Sequence, residues 1–318
     1  MYSEHMRPRS AISIGWILAC IFAASACDCG GSARNDASVE TTDAAADSGL
    51  GDAGLADAGE GDAELADAGT GDAGCIPSGT EVCDGVDNDC NGLTDDVDAA
   101  HDGIYDCLRI GLFGQPGLRP SSDFLVWLQS NGTTVTRVQT STSEELTPAL
   151  LTSFDIVILD RLVRSYTPGE AVVLRDWVAS GGGLVVMSGY TGDSSDWTFP
   201  NSLLADFELG IGTTLQNGPV TTFLPHPTTE GLTSVTFMGG FNVGVPRGDG
   251  GLDIQSDGGL PGVVAALPSG SVGITKEWQK GRVFVWGDEW IEFDSEWRAL
   301  PQIPRFWANI LGWVAHFR

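Results

Sequence analysis

The sequence predicts an α/β fold over residues 108–318, a doubly wound and mainly parallel sheet, preceded by a small cysteine-rich module at 75–107 and an acidic linker at 27–74. Three observations carry this. Residues 154–189 spell a strand, a crossover helix and a second strand; strand and helix patterns alternate on either side of them; and Cys75, Cys83, Cys90 and Cys107 cluster just before.

Residues 1–26 have the make-up of an export signal, with Arg7 and Arg9 ahead of an apolar stretch at 11–24 that is short for a membrane span. Ala24-Ser25-Ala26-Cys27 resembles a bacterial lipobox, which implies acylation of Cys27 and attachment to a lipid bilayer. An ordinary signal peptide cut near Ala26 is the alternative. The expected place is the bacterial cell envelope, facing the periplasm or the exterior. Residues 27–74 repeat Gly-Asp-Ala-Gly and Ala-Asp-Ala-Gly with almost no large apolar residue, so they cannot bury enough surface to offset the entropy of ordering. The whole chain carries 43 Asp and Glu against 16 Lys and Arg, a net charge of -27, which excludes nucleic acid as a partner.

In the cysteine-rich module, Asp87, Asp89 and Asn91 place oxygen donors on alternate residues, and Gly92 allows the turn that a calcium loop makes at its sixth position. Leu93 would add its carbonyl, Asp95 a ninth-position oxygen and Asp98 a twelfth-position carboxylate. Hard oxygen donors favour calcium. The run from Glu81 through Cys83-Asp84-Gly85-Val86-Asp87-Asn88-Asp89-Cys90-Asn91-Gly92 resembles the MopE-type metal-binding motif of secreted bacterial proteins. An acidic turn that holds no ion is the alternative. In an exported chain the four cysteines are expected as two disulfides, with three pairings open. A soft-metal thiolate site is the runner-up, opposed by the carboxylates around it.

Within the α/β domain, residues 108–113 form the expected first strand, and Phe124, Trp127 and Leu128 mark a helix beginning near Ser122. Residues 133–138 are a β-branched strand and 144–151 a short helix. Residues 155–160 are apolar without alternation, as a strand covered on both faces would be. Thr167, Pro168 and Glu170 form a capping box, and Val173, Leu174, Trp177 and Val178 follow at helical spacing. Three glycines at 181–183 end that helix before the strand at 184–187. Residues 190–270 are less regular, with a helix expected at 202–207 and short strands near 220–224, 235–238 and 263–267. Strands at 272–275 and 283–286 and a helix at 302–317 close the chain.

Phe154-Asp155-Ile156-Val157-Ile158-Leu159, the helix ending in Trp177-Val178-Ala179-Ser180-Gly181-Gly182-Gly183, the segment His226-Pro227-Thr228-Thr229-Glu230-Gly231-Leu232 and the closing Gly281-Arg282-Val283-Phe284-Val285-Trp286-Gly287-Asp288 together resemble the class I glutamine amidotransferase-like fold, especially its non-catalytic and ThuA-like relatives. The resemblance implies a flavodoxin-like arrangement. It also implies a missing nucleophile: where catalytic members carry a cysteine after the strand at 184–187, this chain has Ser188-Gly189-Tyr190, and no cysteine follows Cys107.

Ligands of such sheets bind at the carboxyl ends of the strands. Asp160, Tyr190, Asp288, Glu289 and Trp290 are the expected contacts there for a carbohydrate or protein ligand, with Trp197 and Trp286 as further stacking candidates or as core. A hydrolase with Ser188 as nucleophile, His226 as base and Asp288 as orienting acid is the alternative. Against it, Ser188 lacks the preceding glycine of a nucleophile elbow. A purely structural envelope protein is the third class.

Overall fold

A computed structural model describes residues 75–189, 191–256 and 259–315. The export signal, Cys27, the acidic linker and Tyr190 lie outside these residues.

Residues 75–107 contain no helix or strand and are held by two disulfides, Cys75–Cys90 and Cys83–Cys107. The chain then runs through β1 (Arg109–Phe113), α1 (Ser122–Ser130), β2 (Thr134–Val138), α2 (Pro148–Leu151), β3 (Ile156–Leu159), α3 (Pro168–Ala179), β4 (Gly183–Met187) and α4 (Ser195–Leu204). After these come β5 (Gly210–Val220), β6 (Thr222–Phe223), β7 (Val235–Pro246), β8 (Leu252–Asp253), β9 (Val263–Leu267), β10 (Gly270–Trp278) and β11 (Gly281–Trp286). Two helices, α5 (Asp294–Ala299) and α6 (Ile303–Val314), follow.

The main sheet has eight strands in the order β2-β1-β3-β4-β11-β10-β9-β6. From β2 to β11 every neighbouring pair is parallel, and the three pairs beyond β11 are antiparallel. Alternate residues of the parallel strands supply two cores. Ile156, Ile158, Val185, Met187, Phe284 and Trp286 pack with Phe124 and Leu128 of α1 and with α6. Val157, Leu159, Leu184, Val186, Val283 and Val285 pack with Leu174, Trp177 and Val178 of α3. Each of these large side chains, once removed from water, contributes about 1.5–3 kcal/mol. Burial of successive residues on opposite faces is why the strands show no polar alternation.

Two departures from the sequence reading concern the irregular middle of the chain. The helix expected at 144–151 shrinks to α2, capped by Thr147, and the one expected at 202–207 starts earlier, at Ser195. A second, antiparallel sheet of order β5-β7-β8 was not expected at all. The strand expected near 235–238 is the start of β7, which runs on through Gly239-Gly240 to Pro246, and β5 was not expected because it is interrupted by glycines and shows no apolar alternation. The glycine at 240 is required by packing: a Cβ there would strike the carbonyl of Gly287, at the end of β11.

The cysteine-rich module does not end cleanly at 107, since Ile104 is 1% exposed and belongs to the core formed with α1 and α6. The capping box of α3 forms as the spacing implied, and Glu170 also takes two hydrogen bonds from Arg164 at 2.6 and 3.0 Å. Those bonds, with backbone donors at Leu146 and Thr167, pull the Glu170 carboxyl down to about 2. A depressed carboxylate stabilises the fold above its unfolded value near 4.5 and loses that contribution as pH falls toward about 2. Glu170→Gln is therefore expected to cost roughly 1–3 kcal/mol in urea unfolding at pH 7, with the gap to wild type closing between about pH 4.5 and 2. A gap that does not change with pH would contradict this assignment.

Candidate functional site

The carboxyl ends of β1, β3, β4 and β11 converge on a group of buried polar side chains. The loop after β1 is tied to the loop after β3 by an isolated bridge, Gln115 N donating to the carbonyl of Arg161 at 2.9 Å. Gly114 turns there with φ 103°, and a Cβ would meet the Arg161 carbonyl, so this close approach needs glycine. Asp160, immediately after β3, has a fully buried side chain whose Oδ2 accepts from Arg137 of β2 at 2.9 Å. Burial raises its pKa and Arg137 works against that rise.

Three more carboxyl groups come from the segment after β11. Asp288 is 1% exposed, and accepts from Met238 N at 2.6 Å and from Trp290 N at 3.1 Å, which fastens β7 to the end of β11. Glu289 and Glu292 are 2% and 1% exposed. Asp160, Glu289 and Glu292 each place a carboxylate oxygen so that all three lie within 4.8 Å of one another. Burial raises the pKa of Asp288 and Glu292 well above the usual carboxylate range, and for Glu292 the charges of Asp160 and Glu289 add to the rise.

Two hollows flank this group. A polar cleft of about 710 Å³ is lined by Gln115, Asp160, Arg161, Thr191, Asp193 and Asp196. A groove of about 640 Å³ is lined by Leu118, Arg119, Leu215, Met238, Trp290 and Phe293, with the Arg119 guanidinium 4.8 Å above the Trp290 ring. A third hollow, about 560 Å³, lies at the opposite, amino ends of the strands between Cys83, Asp95, Arg109 and Asp155.

Ser188, His226 and Asp288 do not form a triad. The Ser188 hydroxyl is buried and donates to the Asp196 carbonyl at 2.8 Å. His226 pairs its Nδ1 with the Thr228 hydroxyl at 2.9 Å and sets its ring against Trp313, 4.9 Å between centroids. Trp313 in turn takes the Arg282 side chain, and Arg282 pairs with Gly183 at the start of β4. Ser188 lies five residues further along that strand, so the histidine packs at the opposite end of the sheet from it. Burial, then the Arg282 charge, lowers the His226 pKa.

Of the expected ligand contacts, Asp160, Asp288 and Glu289 do lie at the strand ends, and Trp290 lies in the neighbouring groove. Trp286 is instead wholly buried against Phe237, Phe284 and Phe306, as core. Trp197 is half-buried with its ring edge-on to Phe241. Glu292 and Arg137 were missed. Glu292 stands in an acidic run that looks like solvated surface, and Arg137 looks like an outward residue of an alternating strand.

In the cysteine-rich module, Asp87 accepts from the amides of Asn91 and Gly92 at 3.2 and 3.0 Å, Asp89 from that of Asn91 at 3.1 Å, and Asn91 from that of Leu93 at 2.7 Å. Residues 87–93 wrap one loop. Asp95 leaves it, accepting from Asp84 and Gly85 amides, and Asp98 opens a second turn by accepting from Asp102 and Gly103. The carboxylates gathered within 4.8 Å are those of Glu81, Asp89 and Asp96, not Asp95 or Asp98. Glu81 sits outside the loop spacing, and it gives both oxygens to amides of Asn88, Asp89 and Asp95.

No family model and no curated protein matches the chain. Solved structures with a similar arrangement include a cytoplasmic protein of Salmonella typhimurium LT2, 15% identical, covering 65% of this chain and 99% of that one with a TM-score of 0.47. A ThuA-like protein from Parabacteroides merdae is 14% identical over 65% of this chain and 90% of its own, TM-score 0.41. A protein from Thermoplasma acidophilum described as a GMP synthase component is 11% identical over 65% and 94%, TM-score 0.39. The likeness is one of fold alone. It carries no argument about activity.

Replacing Asp288 by Ala removes the acceptor of two main-chain amides in a buried place and is expected to cost about 2–4 kcal/mol. Hydrogen exchange should then quicken at Met238, Trp290 and along β7, while β3 and β4 stay protected.

Proposed function

We propose that this chain is an envelope lipoprotein, anchored through acylated Cys27, in which the α/β domain recognises a carbohydrate or protein ligand without cleaving it. The observation that carries the reading is the state of Ser188: its hydroxyl is buried and spent on the Asp196 carbonyl, and His226 lies at the far end of the sheet. A nucleophile needs a base within hydrogen-bond reach, and among the described residues Ser188 has none. What the strand ends offer instead is a polar cleft of about 710 Å³ with Gln115, Thr191 and Asp193 able to meet hydroxyl or amide groups. Among the described residues no helix is long and apolar enough to cross a membrane.

Calcium belongs to the same proposal, in the cysteine-rich module. Asp87, Asp89, Asn91 and the Leu93 carbonyl supply the loop donors, and the gathering of Glu81, Asp89 and Asp96, with Asp96 Oδ1 buried and without a donor, suits a hard cation. Asp95 and Asp98 then act by shaping turns.

Glycan-array and peptide-array binding of the full chain, run beside hydrolysis assays on the same compounds, tests the recognition reading. Expected are retention of one ligand class without turnover, and at least about tenfold weaker retention for Gln115→Ala. Turnover that disappears in Ser188→Ala, or retention of nothing on either array, contradicts it. For calcium, thermal unfolding of the oxidised chain should show a calcium-dependent rise that shrinks in Asp89→Ala; an unchanged rise would remove the ion from this module.

A further inference from the structure

The clustering of Asp160, Glu289 and Glu292 has no part in the recognition proposal. Three carboxyl groups, each more than nine-tenths buried, face one another at the ends of β3 and β11. Asp160 Oδ1 and Glu292 Oε1 are buried and meet no donor beyond a proton that the two carboxyls could share. A buried carboxylate oxygen without a donor is costly, and natural folds leave few of them. Arg137 supplies one positive charge, through Asp160 Oδ2. Ionised, Asp160 and Glu292 alone would outweigh it.

We infer that Asp160, Glu289 and Glu292 form a binding site for a divalent cation of the calcium, magnesium or manganese class, separate from the cysteine-rich module. The spacing suits one ion: oxygens about 2.3–2.6 Å from a calcium lie no more than about 5 Å apart, and here all three are within 4.8 Å. The sign of the charge suits it as well, since a cation offsets the negative charge that Arg137 leaves on Asp160 and Glu292. All donors are oxygens, which excludes the softer metals as preferred occupants. Access is left open by glycine: a Cβ at Gly117 would come 2.8 Å from Glu292 Oε1, and one at Gly189 would come 3.0 Å from Glu289 Oε2, so at neither position does a side chain cover the carboxylates. Asp160 lines the polar cleft and Glu289 the adjoining groove, so the ion would stand between the two hollows. The inference is independent of the recognition reading, because the ion would bind whether or not the cleft takes a ligand.

The test uses the full, oxidised chain carrying Asp87→Ala and Asp89→Ala, which disable the module's loop and leave the sheet untouched. Manganese is titrated and the bound ion counted by electron paramagnetic resonance, with circular dichroism confirming the fold. One bound manganese per chain is expected, with a rise in Tm, and adding Glu292→Gln should weaken binding at least about tenfold. Glu292→Gln should also unfold at an equal or higher Tm in the presence of a chelator, because it relieves the crowding of three acidic groups in a buried place. No bound manganese at millimolar concentration in the folded background chain overturns the inference and leaves protons as what neutralises the carboxyls. Binding that Glu292→Gln does not change overturns it equally.

Discussion

Burying carboxyl groups at the carboxyl ends of a parallel sheet is the constraint on which the rest of this structure turns. Asp160, Asp288, Glu289 and Glu292 are all at most 4% exposed, and moving an ionised carboxylate out of water is costly unless something compensates it. The fold answers in two different ways. Asp288 is satisfied by main-chain amides of Met238 and Trp290, so its burial serves the joining of strands. Asp160 is satisfied on one oxygen by Arg137, while its other oxygen and Glu292 Oε1 are left to a shared proton or a cation.

That division explains how the two sheets are joined. Asp288 and the carbonyl of Gly287, which accepts from Phe241 N at 2.7 Å, attach β7 to the last parallel strand. With β7 held there, the groove beneath Trp290 gains Met238 as one wall and Leu215 of β5 as another. The same segment after β11 then carries Glu289 and Glu292 inward. Ser188, between β3 and β11 in the sheet order, is left as a turn residue that holds the start of α4 through the Asp196 carbonyl. Asp196 in turn gathers Thr191 and Gly192 on its carboxylate, so the turn after β4 is fixed by hydrogen bonds rather than shaped to present a nucleophile.

The parts legible in the sequence were those governed by local rules. The apolar run of β3, the Thr167–Glu170 capping box and the amphipathic face of α6 each state their structure within a dozen residues, and each was placed within a few residues of where it stands. Asp160 and Asp288 were legible for a similar reason, as the first acidic residues past strongly apolar strands. The pairing of β5 with the full length of β7 was not, because Gly240 answers to a distant contact with Gly287 that no local pattern announces. Glu292 and Arg137 were missed on the same ground: they become neighbours of Asp160 only through the order β2-β1-β3-β4-β11, which brings together residues far apart in the chain. Likewise, loop spacing placed Asp87, Asp89 and Asn91 on one turn, but Glu81 reaches that turn from outside it and Asp95 turns away to the amides of Asp84 and Gly85.

The claim that the strand-end carboxyls are assembled around positive charge supplied from outside the chain is tested most directly by anomalous diffraction. Crystals of the full chain grown near neutral pH with manganese should show an anomalous peak bounded by Asp160, Glu289 and Glu292. A map with no peak there, and with the Asp160 and Glu292 carboxyls in hydrogen-bond contact, would contradict the account.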